Sequence, residues 1–494
     1  MIVQIDGYSH EGEGVAHQDG RAYFVPGALK GETAEVLETG GKGGITRCRL
    51  VRLIQTSANR QTPVCPFFHD CGGCALQHAV YPHQLEIKRD ILSRALRVLG
   101  GVQDAVVPPV IGMERVWDYR GKALFAVGEA GGRVQIGFFG KGSRVIQGQG
   151  CPGLMSEQAN RVLSRLTQML EKDKSWLHSR GLRHILLRES FSAGQIILVF
   201  FVSRADKGLG AAARLFFADL ISAEPIVAGA GVAISADTAR SNGAPGAARG
   251  KIPPIRALAG ALTLQEHIGE HIFQISPESF FQVNTEGARK LYAIAADSLE
   301  LTGKETILDL YCGTGAVGLS LSPLAGRVVG IESAAEAVKD AQTNARLNNI
   351  RNARFLTGRA EEWLPKLFEK KLSPDAGIDA SAAADAESAG AGTAASAGAA
   401  ASAGASIEAA IGAGIDAVIL DPPRKGCAPN VLSSLIQAAP PRILYISCEP
   451  STLARDLKIL RQGGYAIQKI QPLDMFPQTF HTETIVGLCR SFNS

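Results

Sequence analysis

The opening residues, MIVQIDGYSHEGEGVAHQDG, contain no basic segment leading into an apolar run, so no secretory signal peptide is expected. Nowhere do the roughly eighteen consecutive apolar residues of a membrane span occur, so no transmembrane helix is expected either. These absences point to a cytoplasmic protein with no membrane partner. One stretch, 372–415, lacks Lys and Arg altogether and is almost entirely Ala, Gly and Ser, with five acids (Asp375, Asp379, Asp385, Glu387 and Glu408). Its glycine and serine density and its shortage of large apolar residues predict a flexible, disordered insertion rather than core. A milder Ala/Gly-rich stretch at 223–260 reads the same way.

What remains is the composition of a globular protein, 46% hydrophobic and 20% charged, and 494 residues predict two or three domains. Net charge is +4, and +9 without the acidic insertion. A moderately basic body suits a polyanionic partner, although solubility alone accounts for that charge in many proteins. Cysteines number nine, with Cys65, Cys71 and Cys74 crowded together. Without an export signal, that crowding reads as metal binding or catalysis before disulfides.

Three regions follow one another. Residues 1–58 carry short apolar runs punctuated by glycine, the pattern of a small antiparallel barrel. Residues 59–270 hold the cysteine loop, then a helical pattern from about His83 to Leu99 (Leu85, Ile87, Ile91, Leu92, Leu96). Strand-like runs (YRGKALFAV, RVQIGFF, HILLRES, QIILVFFV) then alternate with helical ones, predicting an α+β domain. From 271 to 494, short and nearly all-apolar runs (ETILDLY, RVVGIE, ARFLTG, DAVILDPP, RILYISCEP) alternate with helical stretches. Strands of that kind are covered on both faces, so a doubly wound parallel sheet is expected, with ligands at its carboxyl edge.

The polar motifs all fall just after those strands. ILDLYCGTGAVGL sets Gly313, Gly315 and Gly318 between a strand and a helix, a literal G-x-G-x-x-G. Glu332 closes the next strand, where an acid accepts hydrogen bonds from ribose hydroxyls. The glycines fit a dinucleotide or S-adenosylmethionine equally well. Asp309, four residues before Gly313, gives a D-x-x-x-G-x-G form that resembles class I methyltransferases, and Asp421-Pro422-Pro423 ends the fourth strand. Both features favour the methyl donor.

Cys448 follows the strand RILYI, and His481 and Glu483 precede another apolar strand. A cysteine at a strand end is usually a small buried hydrophobe. Beside a methyl donor, a thiol and a carboxylate have a shared use. Carbon 5 of uracil is too poor a nucleophile to take a sulfonium methyl. Adding a thiolate to carbon 6 makes an enolate whose carbon 5 attacks. A base then removes the carbon 5 proton and the thiolate leaves. Such a thiol needs an electropositive setting, with Arg455 the candidate cation.

DLYCGTG, DPPRKG, SCEPSTLARD and DMFPQTFHTE, with SPESFFQVN at 276–284 and the CPFFHDCGGCALQH loop, resemble the RNA 5-methyluridine methyltransferase family over nearly the whole chain outside the two Ala/Gly-rich stretches. The resemblance implies a Rossmann-type methyltransferase domain at 271–494, an N-terminal TRAM domain (an OB-like RNA-binding barrel) and a central α+β domain. Its helical part, about 77–108, would pack with the catalytic domain. It further implies Cys448 as nucleophile and Glu483 as base, with Gln282, Tyr311, Gly313, Gly315, Glu332 and Asp421 at the methyl donor. Ala316 stands where some members have Asn, and Glu449 where Asn usually follows the catalytic cysteine. The target base would be flipped out of its RNA, because a stacked base hides both ring faces.

Cys65-x5-Cys71-x2-Cys74 supplies three thiolates, and Cys151 in GQGCPGL is the candidate fourth. Spacing alone points to zinc. The ribosomal branch of the family holds a [4Fe-4S] cluster in this pattern, which implies iron–sulfur with zinc as the alternative. The transfer-RNA branch usually lacks the cluster and the TRAM domain, so ribosomal RNA, the 23S species, is the implied substrate. Cys48, Cys312, Cys427 and Cys489 read as small packing residues. Arg120, Lys122, Arg183 and Arg188 are candidate phosphate contacts or ordinary solvated cations. No stable protein partner is implied. Two rival classes fit parts of the pattern: an iron–sulfur oxidoreductase using the glycine loop for a nucleotide, and a non-enzymatic RNA chaperone. The joint presence of Cys448 and Glu483 argues against the chaperone.

Overall fold

The computed structural model describes residues 1–103, 106–204, 209–234, 253–369 and 414–491, apart from the side chains of 366–369. The Ala/Gly/Ser insertion expected at 372–415 falls outside these except for its last two residues. No helix among the described residues is long and apolar enough to cross a membrane.

The N-terminal unit is a six-stranded sheet made of β1 (Ile2–Gln4), β2 (Gly7–Tyr8), β3 (Gly14–Gln18), β4 (Arg21–Val25), β5 (Thr33–Lys42) and β6 (Ile45–Gln55), in the order β1-β5-β6-β4-β3-β2. Its two edge strands are consecutive in sequence with only Ile5 and Asp6 between them, so the sheet curls back on itself. Backbone bonds from Asp6 N–H to the Val15 carbonyl (2.9 Å) and from Ile5 N–H to the Glu32 carbonyl (2.9 Å) fix that bend. One pair, β4 with β6, is parallel, unlike the purely antiparallel arrangement the turns predict. Alternating residues such as Val3, Ala16, Tyr23, Val25, Ala34 and Val36 fill its interior.

A helix, α1 (Tyr81–Val98), then crosses to the C-terminal part of the chain. Leu92 and Leu96 enter the core of the last sheet, while Ile87 and Ile91 pack with Tyr8 and Leu29 of the N-terminal unit. At its centre Lys88 is wholly buried, ion-paired to the wholly buried Asp474, and bonds the Phe476 carbonyl at 3.0 Å. Removing one partner of such a pair leaves an uncompensated buried charge, at a cost of about 3–5 kcal/mol. Lys88→Met should therefore lower the melting temperature markedly, and adding Asp474→Asn should recover most of the loss. Equal melting of wild type and Lys88→Met would show that the pair contributes no net stability.

The central unit is a seven-stranded sheet, β13-β12-β11-β10-β7-β8-β9, from β7 (Lys122–Ala130), β8 (Arg133–Phe139), β9 (Ile146–Gln147), β10 (Leu182–Ser190), β11 (Gln195–Val202), β12 (Val227–Ile234) and β13 (Ile255–Gly260). Helices α2 (Glu157–Lys172), α3 (Ser175–His178) and α4 (Leu209–Ala223) complete the unit, their buried residues packing with Phe125, Phe200 and Trp176 in one core. The 223–260 stretch is thus not a flexible insertion in its described parts. Val227–Ile234 and Ile255–Gly260 are paired strands whose small residues permit close approach, and a Cβ on Gly229 would sit 2.0 Å from the Ala261 carbonyl oxygen. A hairpin, β14 (Leu264–Ile268) with β15 (His271–Ile275), spans the expected border at 270.

The last sheet holds β16 (Thr306–Leu310), β17 (Arg327–Glu332), β18 (Ala353–Thr357), β19 (Ala417–Leu420), β20 (Arg442–Ser447), β21 (Tyr465–Leu473) and β22 (Glu483–Arg490), ordered β18-β17-β16-β19-β20-β22-β21. All run parallel except β22, which is antiparallel to both neighbours. Helices α5 (Thr285–Leu299), α6 (Ala316–Leu321), α7 (Ala335–Leu347), α8 (Ala360–Glu369), α9 (Pro429–Ala438) and α10 (Pro450–Gln462) belong to this unit. Two apolar clusters lie on its two faces, one around Leu308, Val418 and Tyr445, the other around Ile307, Ile419 and Leu444. Neighbouring residues on one strand thus enter opposite cores, which explains the unbroken apolar runs. The order reverses between β16 and β19, which opens a crevice at their carboxyl ends.

Candidate active site

That crevice is a cleft of about 970 Å³ lined by Gln282, Tyr311, Gly313, Glu332, Asp421, Cys448 and Glu483. Each arrives from the carboxyl end of a strand or from the loop that follows one, except Glu483, which opens the antiparallel strand, and Gln282, which precedes α5. Gly315 does not line the cleft. It sits at φ 76° before α6, and a Cβ there would meet the Phe355 ring at 2.7 Å, so its role is to let the loop turn. Gly313, at φ 54°, faces open space: a Cβ at that position would have no closer neighbour than the Phe280 carbonyl oxygen at 3.8 Å. Glu332 accepts the Gly313 N–H at 3.2 Å and the Ala334 N–H at 2.8 Å, so the acid holds the loop while one edge stays toward the cleft. Asp309 lies beneath, accepting the Gly318 N–H at 3.1 Å; burial and the charge of Asp421 push its carboxyl up to about 8.

The thiol and the carboxylate are brought together by strand register. β20 and β22 pair antiparallel with Ser447 opposite Thr484. Cys448 and Glu483 are the next residues beyond that last pair, both line the cleft, and the Glu483 charge acts on the thiol. Glu483 is 3% exposed, and its carboxylate makes no hydrogen bond to another described residue. Burial and the nearby Asp421 raise its pKa, with Arg424 opposing. Burial pushes the Cys448 thiol up to about 12, the Glu483 charge adds to this, and Arg424 again opposes.

Arg424, not Arg455, is the cation at the thiol. Arg455 is engaged elsewhere, with Asp456 at 2.7 Å and the Lys425 carbonyl at 2.9 Å. Arg424 follows Asp421-Pro422-Pro423 directly, its carbonyl accepts the Thr452 hydroxyl at 3.1 Å, and its Nη2 lies 2.8 Å from His481 Nε2. Burial and Arg424 press the His481 pKa down to about 3, so the ring is neutral and accepts from the guanidinium. A ring so weakly basic is a poor proton acceptor. Phe138, Phe280, Phe476 and Phe480 also line the cleft, Phe280 being 63% exposed at it. The signal for Arg424 is its adjacency to the DPP turn, and for Phe476 and Phe480 the aromatic pair in DMFPQTFHTE.

That motif is clamped from outside the last sheet. Ala75 and Leu76 N–H groups donate to the Gln478 carbonyl at 3.0 and 2.9 Å, Gln84 exchanges bonds with Gln478, and the Tyr119 hydroxyl donates to the Pro477 carbonyl at 2.9 Å. Of the four candidate phosphate contacts, Arg188 is buried and Lys122 half-buried, and both donate to backbone carbonyls of 276–279, at 3.1 and 3.4 Å to that of Ser279. They secure the segment ahead of Gln282 and are not available to phosphate. Arg120 lines the cleft, and Arg183 is exposed elsewhere.

Cys65, Cys71, Cys74 and Cys151 line one small cavity, walled by Phe67, Phe68 and Phe138. Their chemistry suits a thiophilic metal centre, and the apolar walls would shield it. Among the described residues, however, no three His, Cys, Asp or Glu side chains converge closely enough to hold a metal ion as they stand. Burial pushes the Cys74 thiol up to about 11 and the Cys151 thiol up to about 12. Cys74 also lines the main cleft, so this loop is one of its walls. Cys48, Cys312 and Cys427 are buried in apolar surroundings.

A glycine loop and a strand-end acid at the crevice of this sheet, with a thiol and a carboxylate in the same cleft, fit an S-adenosylmethionine-dependent methyltransferase, and the relatives of the chain are RNA methyltransferases. The family profile of tRNA (Uracil-5-)-methyltransferase matches residues 260–372 and 413–491. An uncharacterized RNA methyltransferase of Clostridium acetobutylicum is 33% identical over 99% of this chain and 96% of its own length. One from Gloeobacter violaceus is 34% identical over 99% of this chain and 96% of its own. The crystal structure of Pyrococcus abyssi tRNA (uracil-54, C5)-methyltransferase in complex with S-adenosyl-L-homocysteine covers 99% of this chain and 100% of its own, with a TM-score of 0.69 at 24% identity, a likeness of fold. The chain belongs to the RNA 5-methyluridine methyltransferase family.

Proposed function

We propose that the protein methylates carbon 5 of a uridine in 23S ribosomal RNA through a covalent bond between Cys448 and carbon 6 of the base. The observation that carries this reading is that Cys448 and Glu483, each next to the last pair of the β20–β22 ladder, share one cleft with the glycine loop. Gln282, Tyr311, Gly313, Glu332 and Asp421 would hold S-adenosylmethionine, which supplies the methyl group. Cys448 attacks carbon 6 of the flipped uracil, and Glu483 later takes the proton from carbon 5 so that the thiolate is released. Arg424 favours the thiolate, while the buried acids oppose it until positive charge stands beside them. The curled N-terminal sheet serves as a TRAM-like RNA-binding barrel.

The ribosomal choice rests on the resemblance in the cysteine loop and the N-terminal unit. A second reading, transfer RNA, is favoured by the whole-chain fold likeness to an enzyme named for uracil-54 of tRNA. Mapping 5-methyluridine in ribosomal and transfer RNA from a deletion strain, with and without the gene restored, decides between them. Loss confined to transfer RNA would move the substrate there, and no loss in either would overturn the reading.

Glu332→Ala should weaken S-adenosylmethionine binding by about 1.5–3 kcal/mol, since charge-assisted bonds to the ribose are lost, with RNA binding little changed. Glu332→Gln, which keeps an acceptor for the Gly313 N–H, should lose less. Calorimetric titration checks both, and tight NAD binding would contradict the assignment.

The four cysteines are proposed to hold a [4Fe-4S] cluster, with zinc as the alternative, in a structural and RNA-positioning role. Anaerobically purified protein should be brown, absorb broadly near 400 nm (an approximate figure for such centres) and carry about four irons per chain. Each of Cys65, Cys71, Cys74 and Cys151 should be needed. A colourless preparation with one zinc per chain would overturn the iron assignment, and full iron in Cys151→Ala would move the fourth ligand elsewhere.

A further inference from the structure

A second cleft, of about 720 Å³, lies on the central sheet, lined among others by Gln135, Phe139, Arg144, Arg183 and His184. Its size is within the range of about 300–1,000 Å³ typical of ligand pockets. The sheet pleat builds it. His184 on β10 is in register with Ala126 on β7, and Ala126 with Gly137 on β8, so these share one face with Gln135 and Phe139. Phe125, Val127 and Ile136 occupy the opposite, core-facing side. Phe139 is half-buried, and His184 stands edge-to-face to it, ring centroids 6.4 Å apart at 82°.

Two observations mark this face as a binding surface. First, His184 is only 7% exposed, yet no hydrogen bond from a described residue reaches its ring; Nδ1 is sealed from solvent, leaving Nε2 as the nitrogen with access to the cleft. Burial, with Arg183 nearby, lowers its pKa to about 4, so the ring is a neutral donor or acceptor. Second, Arg144 and Arg183 are exposed and in no ion pair with a described residue; Arg183 Nη1 donates to the Leu177 and Leu182 carbonyls at 3.4 and 3.0 Å, and no described residue takes its other nitrogens. Among the described residues the one acid on the lining, Glu129, is already held by Lys174 at 2.8 Å and His178 at 3.2 Å. Position adds to this. Phe138 lines the active cleft and Phe139, the next residue of β8, lines this one, so the end of β8 is a wall common to both.

We propose that this cleft is a second RNA subsite, taking a single-stranded nucleotide that flanks the target, with its base against Phe139 and His184 and its phosphates at Arg144 and Arg183. Aromatic faces accept any base by stacking, and a free imidazole edge adds a hydrogen bond. The inference rests on RNA being the substrate, and it assigns to the central sheet a contact distinct from the N-terminal barrel.

The test uses full-length protein and a fluorescein-labelled twelve-residue oligouridine, followed by anisotropy without methyl donor. The double variant Arg144→Ala/Arg183→Ala should bind about ten-fold more weakly, with a log–log salt slope shallower by about 1.4 for two lost phosphate contacts on a single strand. Phe139→Leu, which keeps apolar bulk but loses the ring, should weaken binding about five-fold or more. Unchanged affinity and slope in both variants would overturn the proposal. Oligoglutamate of equal charge competing as well as unlabelled oligouridine would assign the cleft to an acidic peptide instead. In the unaltered protein, oligouridine containing 4-thiouridine should photocrosslink to the 133–147 segment, and crosslinks confined to active-cleft peptides would count against the subsite. Cys448→Ala separates the two readings, since it should keep oligouridine affinity while losing the covalent step. Wild-type protein that binds at this face yet forms no adduct with target RNA bearing 5-fluorouridine in the presence of S-adenosylmethionine sinks the methylation mechanism alone.

Discussion

RNA bearing 5-fluorouridine at the target position should form a covalent complex with the wild-type protein that survives denaturing electrophoresis. In Cys448→Ala that complex should be absent, and methylation of ordinary RNA should fall by on the order of 10⁴-fold or more, as when a nucleophile acting within a concerted unit is removed. The thiolate adds to carbon 6, carbon 5 takes the methyl group, and carbon 5 then carries fluorine in place of the hydrogen a base would remove. Elimination is blocked and the carbon–sulfur bond persists. Cys448 is half-buried at the end of β20, lines the cleft and sits beside Arg424, so its removal leaves the glycine loop and Glu332 undisturbed. Binding of the methyl donor should be retained, which separates loss of chemistry from loss of folding. An adduct of undiminished yield in Cys448→Ala would remove this residue from the mechanism.

Why the pair is legible while its surroundings are not follows from what sequence can carry. Strand ends are marked by apolar runs, so Asp421, Cys448 and Glu332 can be placed at one edge of a parallel sheet. The step that brings Cys448 and Glu483 to one end of the β20–β22 ladder depends on β22 running antiparallel, a register fixed by pairing between segments more than thirty residues apart. Lys122 and Arg188 look like surface cations because each stands at the end of an apolar run in its strand. Only the packing of 276–279 over that sheet reveals them as internal clamps. Arg455 and Arg424 are equally near polar motifs in sequence. The carboxylate of Asp456 takes one, and the thiol is left with the other. The strands at 227–234 and 255–260 resemble linker in sequence because Ala and Gly carry little periodic signal, although those small residues are what lets the chains pair so closely. Gly315 belongs to the motif but not to the cleft wall, a distinction that only the position of Phe355 makes visible.

Glu483→Gln should separate the two halves of the reaction. The amide cannot take the carbon 5 proton, yet it leaves the thiol and the methyl-donor loop in place and relieves the negative charge that opposes thiolate formation. Attack and methyl transfer should therefore proceed, while release stalls, so a methylated protein–RNA complex accumulates on unmodified RNA. Turnover should fall by on the order of 10²–10⁴-fold, the usual contribution of a positioned base. Acidity gives a second reading of the same residue. Burial and Asp421 raise the Glu483 pKa, so the carboxylate form needed for proton removal develops at higher pH than for an ordinary glutamate. The release rate of the wild type should accordingly climb with pH past the usual carboxylate range, and Glu483→Gln should lose that rise. His481 is the alternative acceptor in reach, but its pKa of about 3 and its contact with Arg424 at 2.8 Å leave it little basicity. If Glu483→Gln turned over at nearly the wild-type rate with its pH dependence intact, the proton would have to leave by another route, and His481→Ala would be the variant to compare.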